Sequence, residues 1–182
     1  MKKLRLPVPG SSLAGAVWRL EEISCAIHKS VQEYKNSARS GGQLRTPSRA
    51  YEHFRKKAFK LLSHYVDTGF QDAFRFLLAM KGRTPSRMRG SVRGNEFHFG
   101  LLAMSAAANI QPNEGKDFMS RNRLRELAAL MNQAHQEGIK EADFNDFVAR
   151  ERRSARDDRV VVDRDRGRQI RQRSIATRRA SD

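Results

Sequence analysis

Along the first part of the chain, Leu13, Val17, Leu20, Ser24, Ile27, Val31, Tyr34 and Ala38 follow one another at alternating steps of four and three residues. An α-helix brings residues at that spacing onto one face, whereas a strand scatters them over both. The spacing therefore predicts a helix, with Ser11 and Ser12 as capping candidates at its start and a Ser-Gly-Gly break at Ser40–Gly42. The same period returns in Tyr51, Phe54, Ala58, Leu61, Leu62 and Tyr65, ending near Asp67–Gly69. A third segment from Phe70 to Met80 carries Phe74, Leu77 and Leu78 and stops before Gly82. The stretch FHFGLLAMSAAAN has no Lys, Arg, Asp or Glu and reads as a buried central helix. A fifth helix is expected from Ser120 to Gly138 with Leu124, Leu127, Ala128, Met131 and Ala134 inward, and a sixth from about Ala142 with Phe144, Phe147 and Val148. No segment alternates with the period of a strand. The predicted fold class is all-α, a bundle of five or six helices.

From Arg150 onward the composition changes. Residues 150–182 contain twelve Arg, no Lys and no aromatic residue. Such a segment buries too little apolar surface to offset the entropy of ordering it, so a disordered, Arg-rich C-terminal arm is expected. The organisation is then an N-terminal tail (1–10), a helical domain (11–149) with a basic loop at 81–94, and a flexible basic arm (150–182). Cys25 is the single cysteine, which excludes an intramolecular disulfide and a Cys-based zinc site. Prolines interrupt MKKLRLPVPGSS before an apolar run develops, and the longest apolar run, GLLAMSAAANI, is half the ~20 residues of a spanning helix. A cytoplasmic protein without a membrane partner is the expectation.

The formal net charge is +16, with 26 Arg against 10 Lys. It is not spread evenly. Residues 35–60 are net +7, residues 81–94 net +5 with no acid, and residues 150–182 net +6, so the rest of the chain is net −2. A field concentrated in this way points to a polyanionic partner, and guanidinium groups suit phosphate in particular. The candidate phosphate contacts are Arg45, Arg49, Arg55, Lys56 and Lys57 in the first segment and Arg83, Arg87, Arg89 and Arg93 in the second. In the arm they are Arg152, Arg153, Arg168, Arg171 and Arg173. No zinc finger, basic zipper, helix-turn-helix or RNP1-like motif accompanies them, so the expected binding is to the phosphate backbone of DNA or RNA rather than to base sequence. Nor is there a Gly-rich phosphate loop, an HExxH motif or a paired-carboxylate cluster. The chain reads as a non-enzymatic nucleic-acid-binding protein with no metal and no cofactor.

The pentapeptide RTPSR occurs twice, at Arg45–Arg49 and Arg83–Arg87. In the first copy Thr46 and Pro47 have the form of an N-cap and first helical residue, and an unbroken periodic run follows. In the second, Gly90 and Gly94 follow within ten residues and no apolar face appears before Phe97, so an exposed basic turn is expected.

Two alternatives rest on resemblance. In RGNEFH, Arg93 precedes His98 by five residues, which resembles the Arg-x4-His signature of the HEPN family of all-helical ribonucleases. The resemblance implies that Arg93 binds the scissile phosphate and His98 acts in proton transfer, usually across a dimer. The stretch TPSRAYEH is similar to a Thr-Pro-x-Arg-Ala stretch of flexuous plant-virus coat proteins. That likeness implies a structural coat or nucleocapsid protein that packages nucleic acid, which would also need a helical body and a basic arm. The seam Leu13–Ala38 is in addition a candidate surface for a homo-oligomer.

Overall fold

The opening seam becomes one helix, α1 (Leu13–Ser40), in a computed structural model that describes residues 6–8, 10–40, 47–83, 95–109 and 120–154. The chain divides into two compact units, Met1–Asn145 and Asp146–Asp182. In the first unit α1 is followed by α2 (Pro47–Asp67), α3 (Asp72–Met80), α4 (Glu96–Ala107), α5 (Arg121–Gln136) and a 3-10 turn at Glu141–Asp143. A further helical stretch, α6, covers 144–154, and no strand occurs among the described residues. The all-α class is therefore the observed one. Two starts differ from expectation. α3 begins at Asp72 because Phe70 still closes the turn after α2, its N–H bonding to the Tyr65 carbonyl at 2.8 Å. The last helix begins at Phe144 because residues 141–143 form the tighter turn first.

The helix ends obey local rules. Ser12 Oγ accepts from the Gly15 N–H at 3.1 Å, Asn95 Oδ1 from the His98 N–H at 3.2 Å, and Ser120 Oγ from the Arg123 N–H at 3.5 Å. Each satisfies a donor that the first helical turn leaves over. At the other end of α5, Gly138 sits at φ +68 while its N–H reaches the His135 carbonyl and that of Ile139 the Ala134 carbonyl. Gly82 at φ +65 closes α3 in the same way, with the Arg83 N–H on the Leu78 carbonyl. A left-handed residue at this position costs glycine nothing and strains a side chain with a Cβ. Pro47 is the first residue of α2, as its fixed φ favours.

α4 organises the core. Nine of its twelve residues are buried, and α1, α2, α3 and α5 all pack against it. Its lack of charge beyond Glu96 and His98 is what that position demands. Gly100 allows the closest approach: a Cβ there would come within 2.5 Å of Leu62 Cδ2, and Leu62 is itself fully buried. Phe59 stacks on Phe144 at 4.1 Å between ring centroids and lies 6.3 Å from Phe97, which joins α2 to α4 and to the chain's return. Tyr65 donates to the Ala16 carbonyl of α1 at 2.7 Å.

The seam of α1 is consumed inside the chain. Val17, Leu20, Ser24, Ile27 and Val31 are buried, with Ala16, Ile23 and His28 widening the stripe, and α1 packs on α2, α3 and α4. This corrects the expectation of a homo-oligomer through that face, because the apolar surface from Val17 to Val31 already has its partners. The side chains of Tyr34 and Ala38 lie outside the described residues. In the second unit, residues 146–154 are helical, so helix persists through the first five residues of the expected arm; residues 155–182 lie outside the described residues. Among the described residues no helix is long and apolar enough to cross a membrane.

Candidate nucleic-acid interface

α2 has two faces of opposite character. Ala50, Phe54, Ala58, Leu61, Leu62 and Tyr65 are buried. At 100° per residue, positions 49, 53, 56, 57, 60 and 64 fall on the opposite side, and these are Arg49, His53, Lys56, Lys57, Lys60 and His64. Arg49, Lys57 and Lys60 are exposed and Lys56 is half-buried. Among the described residues, neither Arg49, Lys56 nor Lys57 has an ion-pair partner, whereas Lys60 Nζ meets Glu141 Oε2 at 2.7 Å. The face ends where His64 donates to the Pro7 carbonyl at 2.7 Å and His135 to Asp67 at 2.8 Å. His53 lies within the cationic face with its Nε2 at 3.3 Å from Ser30 Oγ. Burial and then the neighbouring Lys57 charge hold its pKa below the ordinary 6.5, so it is the neutral form that stands among these cations at neutral pH.

The structure distributes the other candidates unevenly. Arg55, expected on the surface, is 5% exposed and its guanidinium lies 5.1 Å from the centre of the Tyr51 ring. It is a correction with a simple cause: the buried arc of α2 is wide enough to take in Phe54 and its neighbour, and the Arg55 stem packs as apolar surface. Arg83 is described and half-buried at the end of α3, and its neighbour Lys81 is tied to Glu21 of α1 at 2.5 Å. Arg152 and Arg153 are exposed near the end of α6, and Arg153 Nε donates to the Ala149 carbonyl at 3.3 Å, a placement that suits the negative end of a helix. Arg45, Arg87, Arg89, Arg93, Arg168, Arg171 and Arg173 lie outside the described residues.

The pair expected from the ribonuclease resemblance is split by this boundary. Arg93 lies outside the described residues, and His98 is 6% exposed on the inner side of α4. Its Nδ1 is buried without a hydrogen-bond partner, and burial, then the Arg125 charge, lowers its pKa. A ring withdrawn in this way is poorly placed to exchange protons with a bound strand. Cys25 and His28, one turn apart, do not form a thiol–imidazole pair either. Cys25 Sγ donates to the Ala107 carbonyl at 3.3 Å and its pKa is raised, chiefly by burial and then by Glu21. His28 Nδ1 donates to the Ser24 carbonyl at 2.8 Å and its pKa is lowered by burial. No group of three or more His, Cys, Asp or Glu gathers as a metal site among the described residues.

Sequence reasoning passed over Trp18, Phe76 and Met80, which are 56%, 53% and 69% exposed. A signal was available: Trp18 falls between the seam positions Val17 and Leu20, where the period puts solvent. The site and fold together define an all-α protein that displays a cationic helix face. Compared with family models, with curated proteins and with solved structures, the chain matches none of them.

Proposed function

We propose that this is a non-enzymatic, cytoplasmic nucleic-acid-binding protein that grips the phosphate backbone of DNA or RNA through residues 35–60, 81–94 and 150–182. The observation that carries the reading is the outer face of α2, where the exposed Arg49, Lys57 and Lys60 and the half-buried Lys56 are spread over about three turns. Lys56 and Lys57 each lie one turn from Lys60, where side chains on one helix face stand 5–6 Å apart, and Arg49 stands two turns before Lys56, so the cations extend along a length that spans several phosphates. The Arg-rich composition of the second and third segments supports the same partner, since guanidinium groups bind phosphate bidentately.

The test is equilibrium binding to a labelled 20-base-pair duplex and to a single strand of the same length, from about 50 to 200 mM salt. Neutralising six to eight phosphates gives a log–log slope of roughly −5 to −7 on duplex DNA. Binding absent at 50 mM salt, or present with a slope near zero, would remove the reading.

A further inference from the structure

His53 stands in the middle of the α2 cations. Arg49 lies one turn before it and Lys56 and Lys57 one turn after it, all on the outer side of the helix. The ring is half-buried because α1 passes beside it, with Ser30 Oγ 3.3 Å from its Nε2. The Ser30 hydroxyl already donates its hydrogen to the Ile27 carbonyl at 2.8 Å. Ser30 Oγ therefore accepts from His53, which places the hydrogen of the neutral ring on Nε2 and its lone pair on Nδ1. A proton added at Nδ1 makes a cation that keeps the bond to Ser30.

The charges around the ring decide when that proton is taken. On α2 they are Arg49, Lys56 and Lys57 on the same side, Glu52 next in the chain, and Arg55 turned into the core. On α1, Lys29 and Glu33 flank Ser30 and are exposed. The 3-10 turn carries Asp143 and also Glu141, which meets Lys60 two turns beyond His53. α4, with Glu96 and His98, meets α2 at Phe59 and Leu62, on the side turned away from His53. α5 brings His135 to Asp67, four turns along the helix. The nearby charge is thus mainly positive, and burial, then Lys57, keeps the free ring below the ordinary imidazole pKa of 6.5. A phosphate backbone laid over Arg49, Lys56 and Lys57 offsets that charge and favours the imidazolium instead.

We propose that His53 is a proton-linked cation of the α2 phosphate contact, neutral near pH 7 while the face is empty and protonated when a nucleic-acid backbone lies on it. This rests on the phosphate-binding reading above and makes binding proton-coupled. The complex then holds more protons than the free chain, so affinity rises as pH falls through the pKa of the bound state and levels off below that of the free one. The test is titration of the full chain with the labelled 20-base-pair duplex at 0.15 M salt and pH 7.5, 6.5 and 5.5. One added phosphate contact is worth roughly fivefold at this salt, so affinity should tighten about two- to fivefold across the range, with the salt slope steeper by up to ~0.9. His53→Gln, neutral at every pH, should keep the weaker affinity throughout, and His53→Lys, charged at every pH, the tighter one. The unfolding midpoint of each variant at pH 5.5 checks that the fold is kept. In the wild-type chain the ε1 proton resonance of His53 reads its pKa directly, and the bound duplex should raise it. A pH response that both variants retain, or a His53 titration that the bound duplex does not move, would overturn the proton link and leave the phosphate reading standing. No binding at any of these pH values would overturn both.

Discussion

The outer face of α2 and the exposed sides of α1 and α3 both carry cations, yet they use them differently. On α1 and α3 Arg19 is matched by Glu22, Arg75 by Asp72 and by Glu96 of α4, and Lys81 by Glu21, and Trp18, Phe76 and Met80 are exposed on the same two helices. On α2 three cations have no ion-pair partner among the described residues, and no large apolar side chain interrupts the row. A matched cation fixes geometry and adds little to the long-range field, whereas an unmatched one keeps its full attraction for a polyanion. On the function proposed above, the unmatched cations of α2 are the ones that hold phosphate, and the paired cations of α1 and α3 are not.

The comparison breaks most visibly if the α2 cations are removed. Each phosphate contact displaces about 0.9 counterion, roughly a factor of five in affinity near 0.15 M salt. Arg49→Gln, Lys56→Gln and Lys57→Gln together are expected to lower affinity on the order of a hundredfold and to flatten the salt slope by about 3. The matched variant Arg19→Gln, Arg75→Gln, Lys81→Gln removes the same formal charge from the other surface. It should change the slope by less than about 1 and cost about 1 kcal/mol of stability from lost surface pairs. Binding isotherms over a salt series measure both. Equal losses from the two triples would erase the distinction between the surfaces.

What sequence pattern could reveal here is what short-range physics decides. The start of α2 at Pro47, the cap at Ser120, the stop at Gly138 and the buried, nearly charge-free α4 all follow from residues within a turn or two of the feature. Pairing across the bundle does not. Nothing local tells that Lys60 will meet Glu141 or that Lys81 will meet Glu21, because those partners lie far away in the sequence. Arg55 illustrates the same gap from the inside: a cation among cations in sequence, it is drawn into the core by the width of the helix face around Phe54. The seam of α1 was legible as an apolar stripe, but a stripe does not say whether its cover comes from the same chain or another, and here α2, α3 and α4 supply it.

Acid separates the interior from these surfaces. His28 and His98 are each 6% exposed, and burial holds both below the ordinary imidazole pKa of 6.5. Where a folded-state pKa is depressed, the unfolded chain takes up the proton first as pH falls, so stability is full above 6.5 and declines below it. Each unit of depression is worth about 1.4 kcal/mol once the pH is below both values. Urea midpoints measured at pH 7.5 and 5.5 should therefore fall on acidification. His28→Leu and His98→Leu together should flatten that fall whatever they do to the midpoint at pH 7.5. A pH dependence unchanged in the double variant would place the acid-sensitive groups elsewhere.

The smallest expected effect is also the most selective. Lys60 belongs to the α2 row, 54% exposed at its side chain, but Glu141 stands 2.7 Å from its ammonium group. A phosphate approaching Lys60 must compete with that carboxylate, so the fourth cation contributes less than its three neighbours. Glu141→Gln leaves the chain's shape at this position and removes only the charge, at a stability cost within the 0.2–1 kcal/mol range of an exposed pair. Released in this way, Lys60 should raise affinity for duplex and single strand alike by about two- to fivefold and steepen the salt slope by up to ~0.9. The gain should vanish when Lys60→Gln is added to the same chain, a double-mutant cycle that isolates the pair from any general effect of net charge. A gain that survives without Lys60 would mean that the α2 row acts through its summed field rather than as four separate contacts.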